Sequence, residues 1–203
     1  MPRVLVQFAH PAFERSRVHR RLLAHLPRRE GITLNDLYEE YPAFDIDVAR
    51  EQALLLAHDV VVFQHPFFWY STPPLLKQWE DLVLEHGWAY GREGRALTGK
   101  QVLHVISTGG REEAYQHEGL NRFTMRELLA PLEQTASLCG MVWAPPYVIH
   151  GTHRLSEAQI DTEAQRYGQL LIDLHEARVD LRATTRYPSL NHALAGVRVE
   201  GDR

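Results

Sequence analysis

Three short clusters carry most of the chemistry that this chain can offer. Residues 16–19 read SRVH, a hydroxyl, a cation and an imidazole at the start of a helix-like stretch. The free amides of a helix's first turn, together with its dipole, attract a phosphate. A serine there is equally an ordinary helix cap, and both readings of Ser16 stand. Residues 64–81, QHPFFWYSTPPLLKQWED, hold five aromatic side chains and three prolines. Phe67, Phe68, Trp69 and Tyr70 can form core or a flat platform for a planar heterocycle. Residues 107–110 read STGG: two adjacent glycines allow either a tight turn or the close approach of backbone to a ring, because no Cβ intervenes.

The elements around these clusters decide whether they meet. Apolar runs alternate with amphipathic stretches of helical length, the pattern of βα units on a parallel sheet. RVLVQF (3–8) predicts a first strand and RVHRRLLAHL a first helix, with Val18, Leu22, Leu23 and Leu26 at helical spacing. GITLNDLY (31–38) follows as strand two, then a helix over 47–58 capped by Asp47, with Val48, Leu54 and Leu55 on its apolar face. DVVVFQH (59–65) reads as a central strand opening into the aromatic corner, and Pro73 and Pro74 start a third helix. QVLHVIS (101–107) is strand four and ends at STGG. NRFTMRELLAPLEQTASLCG (121–140) is a helix kinked or broken at Pro131, and MVWAPPYVIHG (141–151) a proline-bearing edge strand. A capped helix covers 156–178. Residues 179–203 lack a clear period and read as a tail behind one domain over 1–178.

This order of elements predicts a three-layer α/β/α architecture with five parallel strands, taken in the doubly wound order 2-1-3-4-5. The loops after strands one, three and four then share the crevice at the switch point. Three loops meeting there, one suited to phosphate and two to a planar ring with nitrogens and carbonyls, point to a flavin.

Composition bounds the alternatives. The chain has 203 residues, 44% of them hydrophobic, and a net charge of -4, so a full core is within reach and a dedicated nucleic-acid binder is not indicated. A single cysteine, Cys139, precludes an internal disulfide or a CxxC pair and fits a reducing cytoplasm. No apolar run approaches a membrane span, and no signal segment is recognisable at the amino terminus. Of twelve histidines only His150 and His153 are closely paired, without a further ligand at metal-binding spacing, so no metal is expected. Hydrolase and kinase readings lack a Gly-x-Ser-x-Gly elbow or a P-loop lysine.

The motifs AHP with SRVH, QHPFFWYSTPPLLKQWED, HGWAYG, LTGK, STGG and DLYEEYPAFDIDVAREQALL together resemble the quinone-reductase branch of the flavodoxin-like superfamily. More narrowly they are similar to the ancillary NAD(P)H oxidoreductase subunits of glutathione-gated potassium-efflux antiporters, over roughly residues 3–175. The resemblance implies a non-covalent flavin, FMN or in some relatives FAD, at His10, at Ser16, Arg17, Val18 and His19, at Phe67 to Tyr70, and at Ser107, Thr108, Gly109 and Gly110. It implies NAD(P)H as electron donor, a quinone or other small electrophile as acceptor with ping-pong exchange, and a homodimer in which the Trp88–Tyr90 loop reaches the partner's pocket. It also implies docking on the cytoplasmic side of a membrane cation antiporter, a role that could exist with or without turnover. A one-electron carrier is the third reading, and it lacks the acidic face and Thr/Ser-rich phosphate loop of such carriers. Two departures stand out. His19 occupies the place of an asparagine in the phosphate loop. Tyr115 matches a tyrosine of larger quinone reductases, acting in catalysis or as a lid, but Asn121 stands where they have histidine; His117 is the nearby substitute.

Overall fold

The structure, a computed structural model, describes residues 1–200, with side chains to residue 195. Its sheet is built from β1 (Val4–Phe8), β2 (Ile32–Asp36), β3 (Val60–Pro66), β4 (Gln101–Ser107), β5 (Val142–Trp143) and β6 (Tyr147–Ile149). All pairings are parallel, in the order β2-β1-β3-β4-β5, with β6 also on β4. The order matches the expected 2-1-3-4-5. The fifth position differs in detail: Ala144, Pro145 and Pro146 interrupt the strand expected over 141–151, because proline cannot donate to the ladder, leaving two short segments on the same edge.

Every residue of β1 and β3 is buried, as strands covered on both faces must be. Alternation sends Leu5, Val61, Phe63, Val102 and Ile106 to one core and Val4, Val6, Val60, Val62, Leu103 and Val105 to the other. The first core is covered by α2 (Leu37–Glu40), α3 (Val48–Ala57), α4 (Pro74–Val83), α5 (Met125–Leu128) and α6 (Ala130–Leu138). The second is covered by α1 (Arg17–Ala24) and α7 (Glu157–His175).

Helix starts follow local chemistry. Asp47 accepts from the Arg50 amide at the head of α3, and Ser156 with Gln159 forms a capping box on α7. Pro131 sits in the first turn of α6, where its missing N–H costs nothing. The helix expected over 121–140 accordingly divides at Leu129 and starts at Met125 behind a Thr124–Glu127 capping box.

The segment after residue 178 corrects the expected tail. A 3-10 turn at Leu181–Thr184 leads to α8 (Leu190–Glu200), and Leu181, Leu190 and Ala193 are buried in the second core. Its apolar residues are divided between a turn and a helix, so no single period betrays them. Residues 201–203 of that expected tail lie outside the described residues. Among the described residues no helix is long and apolar enough to cross a membrane.

Candidate functional site

The loops after β1, β3 and β4 converge at the carboxyl edge of the sheet. At the first, Ser16 Oγ accepts the His19 amide at 3.0 Å, the expected N-cap. Its hydroxyl hydrogen and the Arg17 and Val18 amides, which donate to nothing among the described residues, remain for a ligand. The Val18 side chain belongs to the second core, and the Arg17 guanidinium turns aside to Glu157 and the Leu155 carbonyl. His19 is buried, and both its ring nitrogens are engaged inside the protein: Nε2 lies 2.8 Å from Ser107 Oγ and Nδ1 lies 3.2 Å from Gln64 Nε2. Its side chain therefore does not take the place of an asparagine as a phosphate donor. Burial, with His10 and His65 nearby, holds its pKa well below the usual imidazole value.

His10 links this loop to the aromatic corner, its ring 5.1 Å from His19 and 5.9 Å from Phe68. Its Nδ1 accepts the Ala12 amide at 3.1 Å, which leaves Nε2 to carry the proton of the neutral ring. The corner is itself divided. Phe67 is core, and its amide donates to the Ser107 carbonyl at 2.9 Å. Phe68 and Tyr70 are half exposed and Trp69 is 93% exposed. Trp69 and Tyr70 both hold left-handed backbone, φ 50° and 62°. That costs non-glycine residues about 1–2 kcal/mol each, the kind of strain that clusters at ligand clamps. The Tyr70 hydroxyl donates to Asn121 at 3.1 Å, joining the corner to the segment that follows the glycine loop.

In that loop, Thr108 Oγ1 accepts the Gly110 amide at 3.1 Å and is hydrogen-bonded to the Tyr115 hydroxyl. A Cβ at Gly110 would stand 2.9 Å from the Tyr115 ring, and one at Gly109 would stand 2.9 Å from the His153 imidazole. The two glycines thus leave room for neighbouring side chains as well as for a ligand. The Gly109 amide donates to nothing among the described residues. His150 packs its ring 5.5 Å from Tyr115 with Nδ1 buried and unpartnered, and burial lowers its pKa. His117, by contrast, is exposed and faces Glu127 at 3.7 Å, on the outer side of this loop.

His10, Ser16, His19, Phe68, Ser107, Thr108 and Tyr115 are therefore brought together, whereas the side chains of Arg17, Val18 and His117 point elsewhere. Sequence reasoning missed Gln64, His150 and Tyr167. A polar residue near the end of a fully buried strand was the available signal for Gln64; nothing marked Tyr167 among the residues of its helix. A separate cavity of about 530 Å³, lined in part by Leu170, Arg178, Val179 and Leu194 between α7 and the C-terminal segment, shares none of these residues. No group of three or more His, Cys, Asp or Glu side chains among the described residues is placed to hold a metal.

With that geometry in view, residues 2–171 match the model of the family described as having a flavodoxin-like fold. Among curated relatives, the glutathione-regulated potassium-efflux system ancillary protein KefF of Klebsiella aerogenes is 44% identical over 174 residues, 86% of this chain and 97% of that protein. Among solved structures, the general stress protein 14 of Treponema denticola in complex with FMN is 37% identical with a TM-score of 0.78, covering 87% of this chain and 99% of that one. An NADPH-quinone reductase of P. pentosaceus is 32% identical with a TM-score of 0.72, over 82% and 97% of the two chains.

Proposed function

The chain belongs to the flavodoxin-like fold family, and from that premise we propose that it is an FMN-dependent NAD(P)H:quinone oxidoreductase. The observation that carries the reading is the convergence on one crevice of a helix amino terminus with free amides, an exposed aromatic corner and a glycine loop with a free amide. The donor set fits the cofactor. The Ser16 hydroxyl and the Arg17 and Val18 amides suit a phosphate, Phe68 and Trp69 offer apolar ring surface, and the Gly109 amide and Ser107 hydroxyl suit ring carbonyls and nitrogens. FMN, when bound, supplies the hydride-accepting and hydride-donating chemistry.

The protein's own residues bind, orient and shield. Tyr115, held by Thr108, and the backbone near Gly109 and Gly110 are the groups placed to stabilise charge that develops on the ring. Nicotinamide and acceptor share one stacking face of the ring and use it in turn, which makes the kinetics ping-pong. Phe68, Trp69, Leu120 and Phe123 are exposed apolar side chains on the aromatic corner and the segment bonded to it through Tyr70 and Asn121, which supports a homodimer, with the Trp88–Tyr90 loop reaching the partner's pocket. The similarity to KefF along nearly its whole length favours a second role, docking on the cytoplasmic side of a potassium-efflux antiporter.

Purified protein should be yellow and release FMN on denaturation, identified chromatographically against FAD. A colourless protein that takes up neither flavin would sink the reading.

A further inference from the structure

Behind the crevice lies a buried chain of hydrogen bonds that ends on Ser107 and whose inner members, Tyr167, Gln64 and His19, the proposed chemistry does not use. Tyr167, on α7, is fully buried, and its hydroxyl lies 2.8 Å from Gln64 Oε1. Gln64 Nε2 lies 3.2 Å from His19 Nδ1, and His19 Nε2 lies 2.8 Å from Ser107 Oγ. We propose that this chain runs in one direction, from Tyr167 outward, and that it fixes Ser107 as a hydrogen-bond donor to the ligand, making Tyr167 a positioning residue for a site it does not touch.

Direction follows from what each group can give. The Tyr167 hydroxyl hydrogen has one acceptor among the described residues, Gln64 Oε1, and a buried hydroxyl hydrogen left unpaired is costly. With Oε1 committed to Tyr167, the amide presents Nε2–H to His19, so Nδ1 of the imidazole must hold a lone pair. The neutral ring then carries its proton on Nε2 and donates it to Ser107 Oγ. That bond uses the serine oxygen as acceptor and leaves the serine hydrogen with no acceptor among the described residues. Ser107 closes β4, at the carboxyl edge where the three loops meet. The reverse direction requires the Gln64 amide to flip and orphans the Tyr167 hydrogen, while Ser107 would turn its own hydrogen inward to His19. The ligand atom facing Ser107 is therefore an acceptor, such as a ring nitrogen lone pair or a carbonyl oxygen. His19 carries the coupling from the interior to the ring loop.

The identity of the ligand rests on the flavin reading, but the direction of the relay does not. Long-range ¹H–¹⁵N spectra of the flavin-free protein should show His19 as the Nε2–H tautomer. Tyr167→Phe should mix the tautomers, and Gln64→Glu, whose carboxylate only accepts, should drive His19 to Nδ1–H. FMN titrations should show a loss of about tenfold in affinity for Tyr167→Phe, equivalent to about 1.4 kcal/mol, and no further loss when it is added to Ser107→Ala. A parent protein with His19 as Nδ1–H overturns the direction. Unchanged FMN affinity in Tyr167→Phe, or a full additional loss in the Ser107→Ala background, overturns the coupling to the site. Far-UV dichroism verifies that each variant folds, and the parent tautomer decides the direction should Tyr167→Phe fail to fold, with the switch to Nδ1–H in Gln64→Glu testing that Gln64 sets it. If the parent binds no flavin, the functional reading fails while the tautomer result still decides the relay.

Discussion

Tyr115 shows how much one side chain's surroundings change its reading. From spacing it could be a lid or a charge-stabilising donor; in the fold its ring lies over Gly110 and its hydroxyl bonds Thr108, which also holds the Gly110 amide. Tyr115→Phe keeps the ring and removes only the hydroxyl. It should retain bound flavin while slowing reduction by NAD(P)H about tenfold, roughly 1.4 kcal/mol of transition-state stabilisation. Stopped-flow absorbance isolates that half-reaction, and an unchanged rate would leave the residue as packing. His117→Ala should leave the same rate intact, since that imidazole is exposed and faces Glu127. The two histidines that do pack on the loop, His150 and His153, were visible in the sequence only as a close pair, because their approach to Tyr115 and Gly109 depends on β6 lying beside β4.

At the scale of elements, α3 illustrates a limit of periodicity. Its pattern suggests an apolar face of Val48, Leu54 and Leu55, yet its buried residues are Leu55 and Glu51. The Glu51 carboxylate accepts from Gln7 on β1 at 2.9 Å, Asn35 on β2 at 2.9 Å, Tyr41 at 2.7 Å and Trp79 on α4 at 2.8 Å, and it is paired with Arg50. One fully satisfied charge thus ties two strands to two helices, and it pushes the Tyr41 hydroxyl, already raised by burial, up to about 12. Glu51→Leu would leave four buried donors without their acceptor and Arg50 without its inner partner. The expected cost is about 3–5 kcal/mol, the range for breaking a buried ion pair, read as a lower urea midpoint. A loss below about 1 kcal/mol, the net worth of a single ordinary hydrogen bond, would show that the network does not join these elements.

For the whole molecule, buried imidazoles set an acid limit. His65 and His104 are bonded to each other at 3.0 Å inside the sheet layers, and burial lowers the pKa of both, that of His65 to about 4; His19 is lowered as well. Above the ordinary value of 6.5 these rings are neutral in both folded and unfolded chains, so they leave stability independent of pH. As pH falls from 6.5 towards 4 the unfolded chain takes up protons that the folded chain refuses, and stability drops by about 1.4 kcal/mol per pH unit for each proton of difference. Glu80 acts in the opposite sense. Burial raises it to about 7, so its contribution is present below its ordinary 4.5 and is lost as pH rises through 7. Three imidazoles outweigh one carboxyl between 6.5 and 4.5, and Tm should fall across that interval. A Tm that rises or stays flat there would show that the histidines are not held neutral.

The alternation of apolar runs with amphipathic stretches, read against proline and capping residues, was enough to predict a parallel α/β/α sheet and to locate the three loops at strand carboxyl ends, while the order 2-1-3-4-5 came with the doubly wound pattern. Those features are local or depend on chain order, and a parallel sheet leaves few ways to connect them. The motifs likewise carried the family. Only the tertiary structure decided which way the side chains of the crevice turn. His19 faces Ser107 and Gln64 rather than a ligand because β3, β4 and α7 bring their polar groups around it. Arg17 is drawn to Glu157 at the start of α7, 140 residues away. The segment after 178 packs because the second core has apolar surface left for it, and its own sequence holds no period that says so. Such outcomes arise from contacts between residues far apart in the chain, for which spacing along the sequence carries no signal.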